Sequence, residues 1–416
     1  MAQQTEAACL LEQGALYGVR VMLRPTEGAP IFAGFKQGAF SLYYGDEPIY
    51  HFDRDGRWQR AYVHGKHYLK ALDTTVQSID RVREGENLVL KRRTLSFAET
   101  SDLDALIRST ALDLIEQLGS GGLERVEPPA AKAQPLATDG LRDFLEQVAG
   151  WDAAAWFAHR EKYLATYGAL PFLPPDSQNA LVLQATLGHA DGVTFGGGAA
   201  APHYVRSSEE FAAHARDVAK LFGQRLIQYR NIFLAGSDVL RRPIDAVTAY
   251  LETIAQCFPL EAAGVRAPSH PQPRLESVHA FLDDLAAPRY TVEQWRTLRS
   301  RQLRRVVLGV ESGVPAVRGL YRKEWANQDL ATTVADLKRA EISVGVVVLV
   351  GAGGEENSGR HLAATAELIN SLELAPATSS HCSTPTSFAT RNSPFPDSRR
   401  LGEPAGPASR KRSSRP

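Results

Sequence analysis

The sequence has little of what several function classes require. It holds three cysteines, Cys9, Cys257 and Cys382. They lie too far apart for a CxxC-type metal pattern. Their odd number, without a secretory leader, predicts free thiols in a reducing, cytoplasmic compartment. There is no surplus of charge, since Lys+Arg and Asp+Glu are both 47. A protein held on nucleic acid by phosphate contacts usually carries a basic excess, so nucleic acid is not an expected partner. There is no long hydrophobic run. Val344–Val350 is the longest, far short of the ~18 residues of a membrane span. The first residues include Glu6 and Glu12 and no basic stretch, so they do not read as a signal peptide. What is present is ample core material, with 44% hydrophobic and 23% charged residues in a chain of 416. At roughly 100–200 residues per domain, that is two or three domains.

Residues 1–124 read as an α+β domain. Tyr43, Tyr44, Ile49, Tyr50 and Phe52 form β-prone runs. Asp55-Gly56 between Phe52 and Trp58 predicts a hairpin, because both turn positions tolerate positive φ. Gly85-Glu86-Asn87 predicts another, between Val82 and Leu88-Val89-Leu90. The period then changes. Ser101 and Asp104 suit a helix start, and Leu103, Ile107, Leu114 and Leu118 recur at helical spacing. Gly119, Gly121 and Gly122 would end that helix. His51, Asp53, Asp55, His64 and His67 are of metal-ligand type, but a hairpin surface explains them more simply.

Residues 125–179 read as a linker, marked by Pro128, Pro129 and Pro135, and a helical segment around Leu141–Val148 and Ala153–Tyr163. From 180 to 375 the chain alternates. Strands are expected at Leu181–Leu183, Leu226–Leu234, Val278–Leu282, Val306–Val310 and Val344–Val350. Helices are expected to follow each one, opening with Ser207-x-x-Glu210 and continuing over 243–257, 291–302, Leu330–Arg339 and about 359–371. Five β-then-α units predict a parallel sheet, open or curled into a barrel. Apolar strands fit burial on both faces. Residues 376–416 differ in texture: 20 of these 41 are Ser, Thr or Pro, and the stretch from Arg391 on is net +5. That composition predicts a disordered basic tail.

In parallel β/α folds the ligand lies at the strand C-terminal ends. The candidate segments are Thr186–Gly198, Ala235–Asp238, Asp283-Asp284, Glu311–Gly313 and Gly351–Glu355. The first holds His189 and Gly196-Gly197-Gly198, yet neither GxGxxG nor a P-loop Lys-Ser/Thr pair is present. After the second strand, Gly236 allows close backbone approach, and Ser237 and Asp238 can receive an amine. Asp238 as an ordinary helix-start residue is an equal reading. Glu311 can hold ribose hydroxyls or pair with a neighbouring Arg. The glycines from Gly351 can admit a flat ring or simply make a tight turn.

The runs LVLQATLG…TF, IFLAGSD, RRVVLGVESG, Arg322-Lys323 and GVVVLVGAGGE occur in the order seen in radical SAM proteins. The segment 170–375 resembles their core domain, and is similar to the core of the tRNA-modifying and coproporphyrinogen-oxidising branches. The resemblance implies a partial (β/α) barrel. It also implies a 4Fe-4S cluster on three cysteines spaced CxxxCxxC and S-adenosylmethionine on the open iron. By the resemblance, Gly236 and Ser237 would take the amino group of S-adenosylmethionine, Glu311 its ribose and Lys323 its carboxylate, with Gly351–Gly353 near the adenine. The cluster positions fall on His189, Val193 and Gly196. None is a cysteine, and such clusters are held by thiolates. The expectation is therefore a radical SAM family member deficient in its cluster, acting on an unknown substrate. The alternative is a non-catalytic relative that binds an adenosyl ligand or a protein. A sixth β/α unit would start near 376, where the Ser/Thr/Pro-rich stretch stands instead; a reading-frame change there would account for the break.

Overall fold

A computed structural model describes residues 19–36, 38–127, 134–168, 170, 173–188, 203–236, 238–260, 275–286, 289–372, 374 and 380–383. They fall into two compact units. One lies within residues 1–170, 213–230 and 257–276, the other within 171–212, 231–256 and 277–416.

The first unit is built on a ten-stranded sheet. Eight strands follow one another as an antiparallel meander: β1 (Val19–Pro25), β2 (Ile31–Lys36), β3 (Ala39–Tyr44), β4 (Ile49–Asp53), β5 (Trp58–Val63), β6 (Lys66–Lys70), β7 (Val76–Glu84) and β8 (Asn87–Thr94). Two more return to β1: β9 (Leu123–Val126) antiparallel and β10 (Gln134–Pro135) parallel. The period of two along β1 and β2 buries Val19, Val21, Leu23, Ile31, Ala33 and Phe35 on one face. Helix α1 (Phe97–Ser120) lays Leu103, Ile107, Ala111 and Leu114 on that core, and α2 (Thr138–Ala149) adds Leu141, Phe144, Leu145 and Val148. The Phe144 ring sits 4.3 Å from Phe40 and 5.0 Å from Phe35. Helix α3 (Ala153–Tyr167) contributes Trp156 to the same core.

Both expected hairpins are present. Gly56 takes the left-handed turn, with φ of 79°, between β4 and β5, and Gly85 does so, with φ of 62°, between β7 and β8. The start of α1 differs from expectation by a turn. Ser96, not Ser101, caps it, in a reciprocal box with Glu99. That box occurs one turn earlier in the chain, and Arg93 reinforces Glu99 from β8. Asp104 is thereby left mid-helix, where it accepts from Lys70 and Trp58 instead. Gly121, left-handed at φ 73°, ends the helix.

The second unit is a mixed α/β arrangement on a six-stranded parallel sheet. Its strands are β11 (Leu181–Gln184), β14 (Asn231–Ala235), β15 (Ser277–Leu282), β16 (Leu303–Glu311), β17 (Ser343–Leu349) and β18 (Ser380–Ser383), laid side by side in chain order. A small antiparallel pair, β12 (Thr186–Leu187) and β13 (Tyr204–Val205), lies between the first two in sequence. The helices between strands in the chain are α4 (Ser208–Phe222), which from Ala213 on belongs to the first unit, α5 (Ile244–Cys257), α6 (Val292–Ser300), α7 (Pro315–Gly319) and α8 (Asn327–Arg339), and α9 (Gly354–Ser371) follows β17. Ser207 and Glu210 form the expected capping pair of α4. Every residue of β11 is buried, as expected for a sheet covered on both faces.

Two expectations are corrected. The strand expected over Leu226–Leu234 begins only at Asn231, because Gly223–Gln228 winds into a 3-10 turn that buries Leu226. The stretch from 376 was expected to carry no structure, yet Ser380–Ser383 pair in parallel with Val346–Leu349. A parallel edge left open by β17 offers unpaired backbone groups to any extended segment, whatever its side chains. The remainder of 384–416 lies outside the described residues.

One ion pair bears on the sheet's form. Arg305, near the start of β16, donates to Asp176 at 2.6 Å, and Asp176 precedes β11. In a flat sheet β16 would stand three strands from β11, about 14 Å away. The 3-10 turn Pro175–Ser177 therefore reaches toward the N-terminal end of β16.

Candidate functional site

Two carboxylates at the C-terminal ends of β15 and β16, Asp283 and Glu311, meet the ammonium of Lys323 from the segment between α7 and α8. The Lys323 ammonium donates to Asp283 Oδ1 at 2.5 Å, to Glu311 Oε2 at 2.6 Å and to the Gly309 carbonyl at 3.1 Å. Glu311 is 2% exposed and Lys323 5%. An ammonium has three hydrogens, so Lys323 has none left to offer. Burial pushes Glu311 up to about 7, against the pull of Lys323. Burial alone would lower Lys323, but Asp283 and Glu311 outweigh it and hold its pKa above the usual value.

The backbone is shaped to allow this cluster. A side chain at Gly309 would meet Asp283 Oδ1 at 2.5 Å and both Lys323 Nζ and Phe281 Cζ at 2.8 Å. The pairing of β16 with β17 slips between Gly309 and Glu311. Glu311 itself stands in the left-handed region at φ 54°, which costs a non-glycine residue roughly 1–2 kcal/mol. Strain of this kind persists only where the surroundings fix it, here through the bond to Lys323.

A second cation stands behind the cluster. Arg318 is fully buried and donates to the carbonyls of Ser312 and Trp325, with its guanidinium carbon 4.2 Å from the Trp325 ring centre. Burial lowers its pKa, opposed by the Glu311 charge. Beside it Ser312 Oγ lies 2.8 Å from His361 Nδ1. A serine next to a histidine suggests a nucleophile, but Ser312 is inaccessible and also accepts the Val314 N–H. With Thr365 receiving the Gly313 N–H, this pair ties the end of β16 to α9. The His361 pKa is lowered by burial, as befits a neutral ring used for structure.

The remaining expected positions are placed as follows. Asp238 has both oxygens engaged, one by the Thr186 hydroxyl at 2.5 Å and the other by His203 Nε2 at 2.9 Å. Gly236, at φ 144°, faces the Thr186 side chain so closely that a β-carbon would collide with its hydroxyl. Gly351 and Gly353 are left-handed, at φ 80° and 81°, in the turn that starts α9. A side chain at Gly353 would stand 2.9 Å from Val317 on α7. Both Gly236 and Gly353 thus have a packing reason of their own. Ser237, His189, Val193 and Gly196 lie outside the described residues. Among the described residues no group of three or more His, Cys, Asp or Glu could hold a metal ion, and no helix is long and apolar enough to cross a membrane.

The structure therefore joins Glu311 and Lys323, which sequence reading had singled out separately. It adds Asp283, whose position at a strand end was visible although no role attached to it. Arg318 and Trp325 were missed. Their contacts form only when α7 and the turn after it pack, which no local pattern announces.

No protein-family model matches the chain, and no curated protein matches it. Solved structures do. The chain is similar to the coproporphyrinogen III oxidase HemN from Escherichia coli, described as a radical SAM enzyme, at 12% identity and a TM-score of 0.33 over 49% of this chain and 43% of that one. It is similar to TsrM from Kitasatospora setae, a radical S-adenosylmethionine methyltransferase, at 14% identity and a TM-score of 0.35 over 49% and 36%. It is also similar to the FeFe-hydrogenase maturase HydG from Carboxydothermus hydrogenoformans, at 16% identity and a TM-score of 0.33 over 71% and 61%. The chain spans less than two thirds of the length of each.

Proposed function

We propose that this chain is a non-catalytic relative of the radical SAM proteins, a β/α sheet curled toward a partial barrel that keeps the strand-end cluster of charges but not the iron–sulfur centre. Its support is the ordered set of sequence runs across 170–375, the parallel sheet in chain order, and the reach of Asp176 to Arg305. One observation carries the loss of activity. Lys323, the cation that the resemblance assigns to the carboxylate of S-adenosylmethionine, spends all three hydrogens inside the protein, and Glu311 is one of its acceptors.

The residues present do not fit the cluster. A 4Fe-4S centre needs thiolates, and His, Val and Gly occupy 189, 193 and 196. Cys257 cannot stand in, since burial raises its thiol pKa, the reverse of what a ligand needs. Nor does Lys323 offer a free hydrogen to S-adenosylmethionine, and it holds one oxygen of Glu311. For Lys323 to take the carboxylate of that ligand, the site would have to break a buried ion pair.

The test is anaerobic reconstitution of the full chain with iron and sulfide, followed by equilibrium dialysis against labelled S-adenosylmethionine. Iron well below one per chain and no saturable binding are expected. A full cubane complement of iron, with 5′-deoxyadenosine released on adding dithionite, would overturn the reading. Joint His189→Cys, Val193→Cys and Gly196→Cys substitution should restore iron uptake if the loop keeps its family shape.

A further inference from the structure

The first unit contains a cleft of about 520 Å³ that has no part in the reading above. Its walls are the turn before β7, the N-terminal half of α1 and the start of α3. Trp151, Trp156, Phe97, Phe157, Leu112 and Val76 make it predominantly apolar. Phe97 is 84% exposed and Phe157 62%. Neither position helps the core, so two large rings stand at the rim of a hollow with no internal partner to cover them. The volume is that of a drug-sized ligand site.

The charges around the cleft are unequal once their partners are counted. Three carboxylates line it, and of these Asp104 is paired with a cation while Asp73 and Asp152 each accept a backbone N–H. Asp73 accepts the Thr75 N–H, and Asp152 caps α3 through the Ala155 N–H. Asp104, in the floor, takes both the Lys70 ammonium, at 2.5 Å, and the Trp58 indole N–H, at 2.6 Å. Lys70 is buried beneath, 3.6 Å from the centre of the Trp156 ring. The two arginines are different. Arg108 gives only its Nε–H, to the Ala149 carbonyl, and Arg160 bonds to no other described residue. Their terminal N–H groups make no bond to another described residue, so they are donors free at the cleft.

We propose that this cleft binds a small amphipathic anion, its apolar or ring-bearing body lying among Trp151, Trp156, Phe97 and Phe157 and its carboxylate, sulfonate or phosphate on Arg108 and Arg160. The apolar walls supply affinity through burial. The planar guanidinium forks select an anionic head, because charge-assisted bonds are the strong ones. A cationic amphiphile would bring its charge against the two guanidinium groups. A neutral alcohol would gain the burial but not the head-group bonds.

The experiment is isothermal titration of the full chain with dodecanoate, naphthalene-1-sulfonate, dodecan-1-ol and dodecyltrimethylammonium. Saturable one-to-one binding of the two anions is expected, with the alcohol about tenfold weaker, the weight of one charge-assisted hydrogen bond, and no binding of the ammonium. Arg160→Gln should reduce anion affinity alone, and Arg108→Gln with Arg160→Gln should bring the anions down to the alcohol. Phe157→Asp, at an exposed position, should weaken all three ligands without lowering the thermal midpoint. Equal binding of the ammonium, or an unchanged anion affinity in the double variant, overturns the proposal. So does a dimer by light scattering that Phe157→Asp dissolves while no anion binds; that result gives the cleft to a second copy of the chain.

Discussion

Glu311 and Lys323 meet at 2.6 Å inside the protein, and the glutamate reaches that contact from a left-handed backbone. Two carboxylates share the one ammonium, so removing it leaves both buried without their partner. Lys323→Met should destabilise the chain by about 3–5 kcal/mol, the cost of breaking a buried pair from one side. Denaturant unfolding at pH 7 measures this. A loss below about 1 kcal/mol would mean that water already reaches the cluster.

The same pair predicts a pH dependence of definite sign. The Glu311 carboxyl titrates near 7 when folded, against 4.5 ordinarily. Between those values the folded state holds a proton that the unfolded chain has released. This group's contribution to stability is full below pH 4.5 and is lost as pH rises to about 7. Urea midpoints from pH 5 to 8 should show this fall in the wild type relative to Glu311→Gln. Parallel curves would refute it.

An opposite slope comes from the first unit. His159 donates its Nε2–H to the Leu72 carbonyl at 3.0 Å and is held near 4, against 6.5 ordinarily, by burial and then by the Arg57 charge. Here the unfolded chain binds the extra proton, so stability rises with pH between those two values. His159→Gln should flatten the acid side of the profile.

Arg57 offers a sharper mutational target. It pairs with Asp53 at 2.7 Å and with Asp55 at 2.7 Å, and donates to the Leu221 and Phe222 carbonyls that end α4. Asp53 is fully buried. Arg57→Met should cost about 3–5 kcal/mol, mostly through the stranded carboxylate, and Arg57→Met with Asp53→Asn should recover part of it. Chemical denaturation of the single and double variants measures the recovery, and its absence would place the cost elsewhere.

Gly309→Ala tests the space around the cluster. The new methyl would stand 2.5 Å from Asp283 Oδ1 and 2.8 Å from Lys323 Nζ. A loss of about 1–3 kcal/mol is expected from the overpacking, read as a fall in thermal midpoint. If Lys323→Met relieves it, the lysine is the group displaced.

Much of the fold was legible because its signals are local. Asp55-Gly56 announces its hairpin by turn chemistry, and Ser207 with Glu210 announces α4 by capping. The parallel sheet follows from apolar strands alternating with amphipathic helices. Signals failed where two local readings competed. Ser96 with Glu99 and Ser101 with Asp104 both suit a helix start, and Arg93 on a neighbouring strand favours the first. Leu226 belongs to an apolar run that reads as strand, yet it winds into a 3-10 turn after the left-handed Gly223. Of the candidate site, Glu311 and Lys323 were visible singly, twelve positions apart. Their bond to each other, and the entry of Asp283, depend on neighbouring strands and on a slipped register. No spacing along the chain encodes these.

The strands of the second unit stand in the order in which they are made. Each new strand therefore docks beside one already in place and never has to wait for a later one or insert between two. Such a sheet can be laid down progressively as the chain emerges during synthesis, by the right-handed crossovers that parallel strands favour. The arrangement has a cost in time. At every stage one growing edge is open, and it is the unpaired backbone of the latest, apolar strand. When that strand is Ser343–Leu349, thirty residues must follow before Ser380 can begin to cover it. A nascent chain paused in that interval would be at its most adhesive.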